Sequence, residues 1–153
     1  MSGFSIILHP TDLSECSMAA FRMACRVADE GARLIVLHVM EDSLVSSSDY
    51  LETLNRRLRE LAPPRPGVSL VIRMAEGSAV EEIIHAAEDT SCDLIVMGTH
   101  GRTGVYDRLM GGVAEAVLRR SSRPVLVVKS PPRGASTGES TTAEEKKRSA
   151  IVF

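Results

Sequence analysis

Apolar positions fall along this chain in two textures. Four short runs are continuous: Ile6-Ile7-Leu8, Leu34-Ile35-Val36-Leu37, Leu94-Ile95-Val96-Met97 and Val125-Leu126-Val127-Val128. Dense runs rich in β-branched residues, without alternation, are what parallel strands buried on both faces require. A fifth segment, Val68 to Met74, alternates instead, with Val68, Leu70, Ile72 and Met74 set against Ser69 and Arg73, the pattern of a strand near a sheet edge. Between the runs the period changes to that of a helix. Met18, Phe21, Cys25 and Ala28 form one stripe, with Ser14 as N-cap and Gly31 as the stop. Leu51, Leu54, Leu58 and Leu61 form a second, ended by Pro63-Pro64. Ser78 and Glu81 read as a capping box opening a third helix that buries Ile83, Ile84 and Ala87. A fourth helix is predicted from about Gly112 to Ser121, with Arg119 and Arg120 in its last turn, where cations suit the dipole.

The resulting order, β-α-β-α-β-α-β-α-β, predicts an α/β fold: a single open five-stranded parallel sheet with helices on both faces. Ligands of such sheets bind beyond the carboxyl ends of the strands, where strand order reverses. That directs attention to Pro10-Thr11-Asp12 after the first strand and to the glycine-rich loop after the fourth. Beyond Lys129 the composition turns to Ser, Thr, Pro, Gly and charge, so residues 1–129 are expected to form the domain and 130–153 a disordered tail. Ile151-Val152-Phe153 is the one apolar stretch there. It could dock on a sheet edge or a partner groove, but a fraying end is the preferred reading.

Bulk numbers narrow the classes. A length of 153 residues suits one domain, and 3% aromatics with no Trp require an aliphatic core. A net charge of −2, with no basic stripe and no stacking aromatics, gives no reason to expect nucleic acid as a partner. The N-terminus lacks a signal-peptide pattern and no 18-residue apolar run exists, so no membrane is expected and a cytoplasmic location is. Cys16, Cys25 and Cys92 make an odd count without close pairs, which reads as buried reduced thiols.

Residues 97–117, MGTHGRTGVYDRLMGGVAEAV, hold five glycines between a strand and a helix. Gly98 follows the strand and Gly111-Gly112 opens the helix, whose N-terminal amides and dipole suit a phosphate. The competing reading is a long loop used for packing or subunit contact. A Walker loop is excluded because no Lys occurs in the stretch, and the dinucleotide fingerprint because His9 to Ser14 contains no glycine. Asp12 suits either a local cap of the first helix or a ligand contact. His9 and His38 occupy strand positions and read as core histidines satisfied by hydrogen bonds, whereas His100 lies where it could reach a phosphate. Arg102 and Arg108 offer forked donors, or are solvated loop arginines. No histidine has a second ligand at metal-binding spacing. A phospho-accepting receiver domain is disfavoured: Asp12 supplies one acid where a pair is needed, and Glu76 stands where an aspartate belongs.

Taken together these stretches resemble the universal stress protein family. The nucleotide-binding branch of that family carries G-x2-G-x9-G-[ST], and Gly98, Gly101 and Gly111 fit the spacing. ILHPTDLS, LIVLHV, DLIVMGTHGRTG and RPVLVVK resemble other family stretches, so the likeness spans Ile6 to Lys129. It implies an adenine nucleotide α-hydrolase-like sheet of order 3-2-1-4-5 and an adenine nucleotide, ATP or AMP with or without Mg, at the switch point. By the same resemblance Pro10, Thr11 and Asp12 would contact adenine and ribose, and Val39 would hold the base through its backbone. Met97, Gly98 and Gly101 would line ribose and phosphates, and Gly111, Gly112 and Val113 would offer amides to the phosphate chain. One position departs: Gly112 stands where the motif has Ser or Thr, removing a hydroxyl donor.

The expected function is thus a small stress-response regulatory protein that binds ATP or AMP without efficient turnover. The alternatives are a dimeric interaction scaffold that has lost the nucleotide, or a weak ATPase. The resemblance also implies a homodimer through the last strand, Val125 to Val128.

Overall fold

The computed structural model describes residues 3–41, 47–61, 65–100, 110–129 and 150–152, the last of these as backbone. Strands β1 (Phe4–Pro10), β2 (Ala28–Met40), β3 (Ser69–Glu76), β4 (Leu94–Gly98) and β5 (Val125–Val128) alternate with helices α1 (Glu15–Val27), α2 (Ser48–Arg59), α3 (Ala79–Asp89) and α4 (Gly112–Arg120). These five strands are parallel and lie in the order β3-β2-β1-β4-β5, as expected. A sixth, β6 (Ala150–Val152), adds antiparallel to the outer edge of β5. The backbone of that segment thus docks on the sheet in place of the expected fraying end; residues 130–149 lie outside the described residues.

Alternation along each buried strand sends successive side chains to opposite faces, which builds two aliphatic layers. Ile7, Leu34, Val36, Leu94, Val96, Leu126 and Val128 pack with Ala20, Phe21 and Ala24 of α1 and with Leu54 and Leu58 of α2. Leu8, Ile35, Leu37, Ile95, Met97, Val125 and Val127 pack on the other face with Ile83, Ala86 and Ala87 of α3 and with Ala114 and Val117 of α4. β3 lies at the far edge, where Val71 and Met74 are exposed on opposite faces, so the alternation expected to place Met74 with Leu70 and Ile72 breaks down toward the end of the strand. All three cysteines are buried free thiols, and burial pushes Cys25 up to about 11.

Two local expectations are corrected. α1 ends at Val27 rather than running to Gly31, and Ala28 already begins β2. Gly31 sits inside that strand with φ +81°, where β2 carries extra residues against β1: Phe4 pairs with Ala28, but Ile6 pairs with Arg33. A bulge uses a left-handed glycine as readily as a helix stop does, so the residue type alone misled. The capping box at Ser78 does not form either, because Ser78 makes no side-chain cap bond. Glu41, at the end of β2, accepts the Ala79 N–H at 3.2 Å, and Glu81 turns to Arg120 of α4 with oxygen–nitrogen distances of 2.6 and 2.9 Å.

Candidate functional site

The carboxyl ends of β1 and β4 are neighbours from which the chain departs in opposite directions, and the crevice between them is a cleft of about 560 Å³. That volume suits a small-molecule ligand. Its walls come from Pro10 at the end of β1 with Thr11 and Asp12 after it, Leu37 to Met40 of β2 with Glu41 after it, Gly98 at the end of β4 with Thr99 and His100 after it, Ala79 and Ile83 of α3, and Gly111 to Ala114 at the start of α4. Of the residues expected at the site, Pro10, Thr11, Asp12, Val39, Met97, Gly98, His100, Gly111, Gly112 and Val113 all meet there. Gly101 and Arg102, like Arg108, lie outside the described residues.

The turn after β1 is held by its own side chains. Thr11 Oγ1 accepts the Leu13 N–H at 3.0 Å and lies 2.5 Å from Ser17 Oγ, while Asp12 Oδ1 accepts the Ser14 N–H at 2.9 Å. Ser14 in turn caps α1, its hydroxyl accepting the Ser17 N–H at 3.2 Å, as its position predicted. Leu13 is thereby forced to φ +62°, a left-handed conformation that a leucine adopts at a cost of roughly 1–2 kcal/mol. Asp12 is not the cap of α1, a place Ser14 takes; its carboxylate instead fixes the turn leading into that cap, and the residue lines the cleft.

Two buried histidines support the strand ends here, and of them only His38 lines the cleft. His38 is buried, and its Nδ1 lies 2.8 Å from the Thr11 carbonyl, as a satisfied core histidine would, yet it also lines the cleft. His9 is fully buried beside Phe21, with ring centroids 5.7 Å apart. Its Nδ1 donates to the Val96 carbonyl at 2.8 Å, but its Nε2 has no partner among the described residues, so the expectation of full satisfaction fails at that nitrogen. Burial pushes its pKa down to about 4, against weaker opposing contributions from the Val96 carbonyl and Asp12. The ring is therefore neutral at physiological pH, which fixes Nδ1 as the donor.

The three described glycines of the loop do different things. A Cβ on Gly98 would lie 2.9 Å from Cys16 Sγ and 3.1 Å from the Cys16 carbonyl carbon and oxygen, so glycine is required there by the approach of α1 to β4. The Gly111 N–H donates to the Thr99 carbonyl at 2.6 Å, so the expectation that this amide is offered to a phosphate is corrected: it is already used within the protein. Gly112 begins α4 behind an N-cap, Gly111, that has no capping side chain, and a Cβ there would meet nothing within 4 Å. Among the described residues no side chain caps the first-turn amides of α4, and an uncapped helix N-terminus favours an anion. His100 stands beside them with Nδ1 3.0 Å from Thr99 Oγ1.

Ser17, His38, Glu41 and Tyr50 complete the walls without having been singled out as site residues. For Ser17 a signal existed, since a residue three positions after an N-cap turns back toward the preceding strand end. Glu41, just past β2, and Tyr50 of α2 arrive only through the tertiary fold.

A five-stranded parallel core with its cleft at the strand-order reversal, and a helix N-terminus at that cleft, defines an α/β domain with a switch-point cleft. Residues 3–129 match the universal stress protein family, and the chain belongs to it. It is 36% identical over 141 residues to universal stress protein MJ0531 of Methanocaldococcus jannaschii, covering 82% of each chain. The solved structure of MJ0577 from the same organism superposes with a TM-score of 0.69 at 31% identity, covering 86% of this chain and 99% of that one. A universal stress protein solved in complex with cAMP superposes with a TM-score of 0.64 at 27% identity, covering 85% of this chain and 100% of the other. Among the described residues no helix is long and apolar enough to cross a membrane.

Proposed function

We propose that residues 1–129 form a small cytoplasmic regulatory domain that binds ATP or AMP, with or without Mg, and does not turn it over efficiently. The observation that carries this reading is the junction, in one cleft, of an apolar half and an anion-binding half. Leu37, Val39, Ile83 and Met97 offer a slot for a planar base, and the open first turn of α4 at Gly112 and Val113 offers amides to phosphate. Gly101, Arg102 and His100 extend the phosphate side in this reading. The family relative in complex with cAMP supports an adenine nucleotide as the ligand class. Slow or absent turnover is favoured by how the cleft carboxylates are used: Asp12 and Glu41 each accept a backbone N–H that holds the local fold. The same reading makes the protein a homodimer that pairs through β5.

The test is to denature the purified protein and identify released nucleotide by chromatography, with calorimetric titration of ATP and AMP into emptied protein. Bound ATP or AMP, or micromolar binding on titration, is expected. No nucleotide and no heat from either would refute this reading and favour a second, a scaffold without nucleotide, which the glycine at position 112 supports.

A further inference from the structure

The outer edge of β5 is taken by this chain itself. Val127 stands opposite Ile151 at the centre of an antiparallel pair, flanked by Leu126 with Val152 and by Val128 with Ala150. β5 is short and wholly apolar, and all four of its residues are buried. Such an edge is a template for any extended strand, and an antiparallel pairing of β5 with β5 of a second copy is self-complementary about a two-fold axis. The connection that brings β6 back, residues 129–149, is far longer than the two to five residues a hairpin between adjacent antiparallel strands needs. A long connection makes the intramolecular partner a ligand at an effective concentration on the order of millimolar, and three residues of pairing make it displaceable.

We infer that β6 is a built-in competitor for the dimer edge: it covers β5 in the single chain and must leave before two copies can pair there. This rests on the β5 homodimer proposed above. Pairing requires both copies to be uncovered, so the apparent dimerisation constant falls as the square of the uncovered fraction. A cap closed roughly nine-tenths of the time weakens dimerisation about a hundredfold.

The test compares the full chain with its Ile151→Pro, Val152→Pro double variant by sedimentation equilibrium across the micromolar range. Adjacent residues of a strand direct their N–H groups to opposite sides, so one of the two substitutions necessarily removes a donor to β5. The variant is expected to dimerise about a hundredfold more tightly than the unaltered chain. Equal dimer dissociation constants would overturn the competition. A dimeric full chain with a monomeric variant would overturn it as well, by showing that β6 links copies rather than separating them. Two monomers at every concentration would refute the β5 dimer and the competition with it, while leaving nucleotide binding untouched. A second variant, Val127→Cys with Ile151→Cys, places thiols at directly opposed positions. Its oxidised form is expected to be an intramolecularly linked monomer, and an intermolecular link would overturn the cis arrangement.

Discussion

Gly112→Ser restores the hydroxyl that the family motif carries and this chain lacks, and the structure permits a magnitude. The position is the first of α4 and an exposed wall of the cleft. Its φ is not left-handed, and a Cβ there meets no atom within 4 Å, so serine enters without strain. The change replaces glycine by a better helix former, which stabilises the fold by about 0.5 kcal/mol. The larger effect falls on the ligand. A hydroxyl donating to a charged phosphate oxygen contributes about 1.5–3 kcal/mol, so affinity is expected to rise roughly ten- to a hundred-fold. Calorimetric titration of ATP and AMP into the unaltered and substituted proteins measures it, with melting temperature as the folding control. A gain for both nucleotides places the hydroxyl on the α-phosphate, and a gain for ATP alone places it further along the chain. If a folded variant binds both nucleotides no more tightly than the unaltered protein, the phosphates do not lie at the start of α4 and the proposed orientation of the ligand is wrong.

Three further outcomes follow from the same geometry. His9 is held neutral by burial, with its pKa lowered from 6.5 to about 4, so the unfolded chain binds its proton first as pH falls. Its contribution to stability is full above pH 6.5 and is lost progressively toward about pH 4, amounting to the order of 3 kcal/mol. Urea midpoints for the unaltered protein and His9→Asn should converge across that window, and parallel curves would refute the assignment. Gly98→Ala drives a methyl group to 2.9 Å from Cys16 Sγ and against the Cys16 carbonyl, so α1 must shift. A destabilisation of about 1–3 kcal/mol is expected, and an unchanged melting temperature would show that α1 yields freely. Ser91 closes α3 in a left-handed turn with φ +50°, its N–H reaching the Glu88 carbonyl at 3.0 Å and the Cys92 N–H reaching Ala87 at 3.2 Å. That is the hydrogen-bond pattern of a Schellman motif, which glycine suits, so Ser91→Gly is expected to stabilise by about 1 kcal/mol. A fall in melting temperature would refute that reading of the turn.

The sheet and its switch point were written locally. Uninterrupted runs such as Leu94 to Met97 can be satisfied only where both faces are covered, and their alternation with helical stripes leaves few topologies for the chain to choose. The ends of β1 and β4, and with them Asp12, Gly98, Gly111 and Gly112, were therefore legible as the walls of one cleft from the sequence. What spacing did not carry was the choice among partners distant in sequence. Ser78 and Glu81 have the spacing of a capping box, but Glu41 and Arg120 reach the same groups from other elements and displace it. Gly98 looks like an anion-loop glycine, and what requires it is the carbonyl of Cys16 on a neighbouring helix. Glu41 and Tyr50 enter the cleft because the strand order brings β2 beside β1, and nothing in their own neighbourhoods announces it. The outer edge of β5 is the sharpest instance. Its apolar sequence shows that something must cover it, yet a strand edge accepts any extended backbone, so only the tertiary structure decides that Ala150–Val152 does. Local sequence sets what each segment needs, whereas several groups can meet that need, and relative position in the fold selects among them.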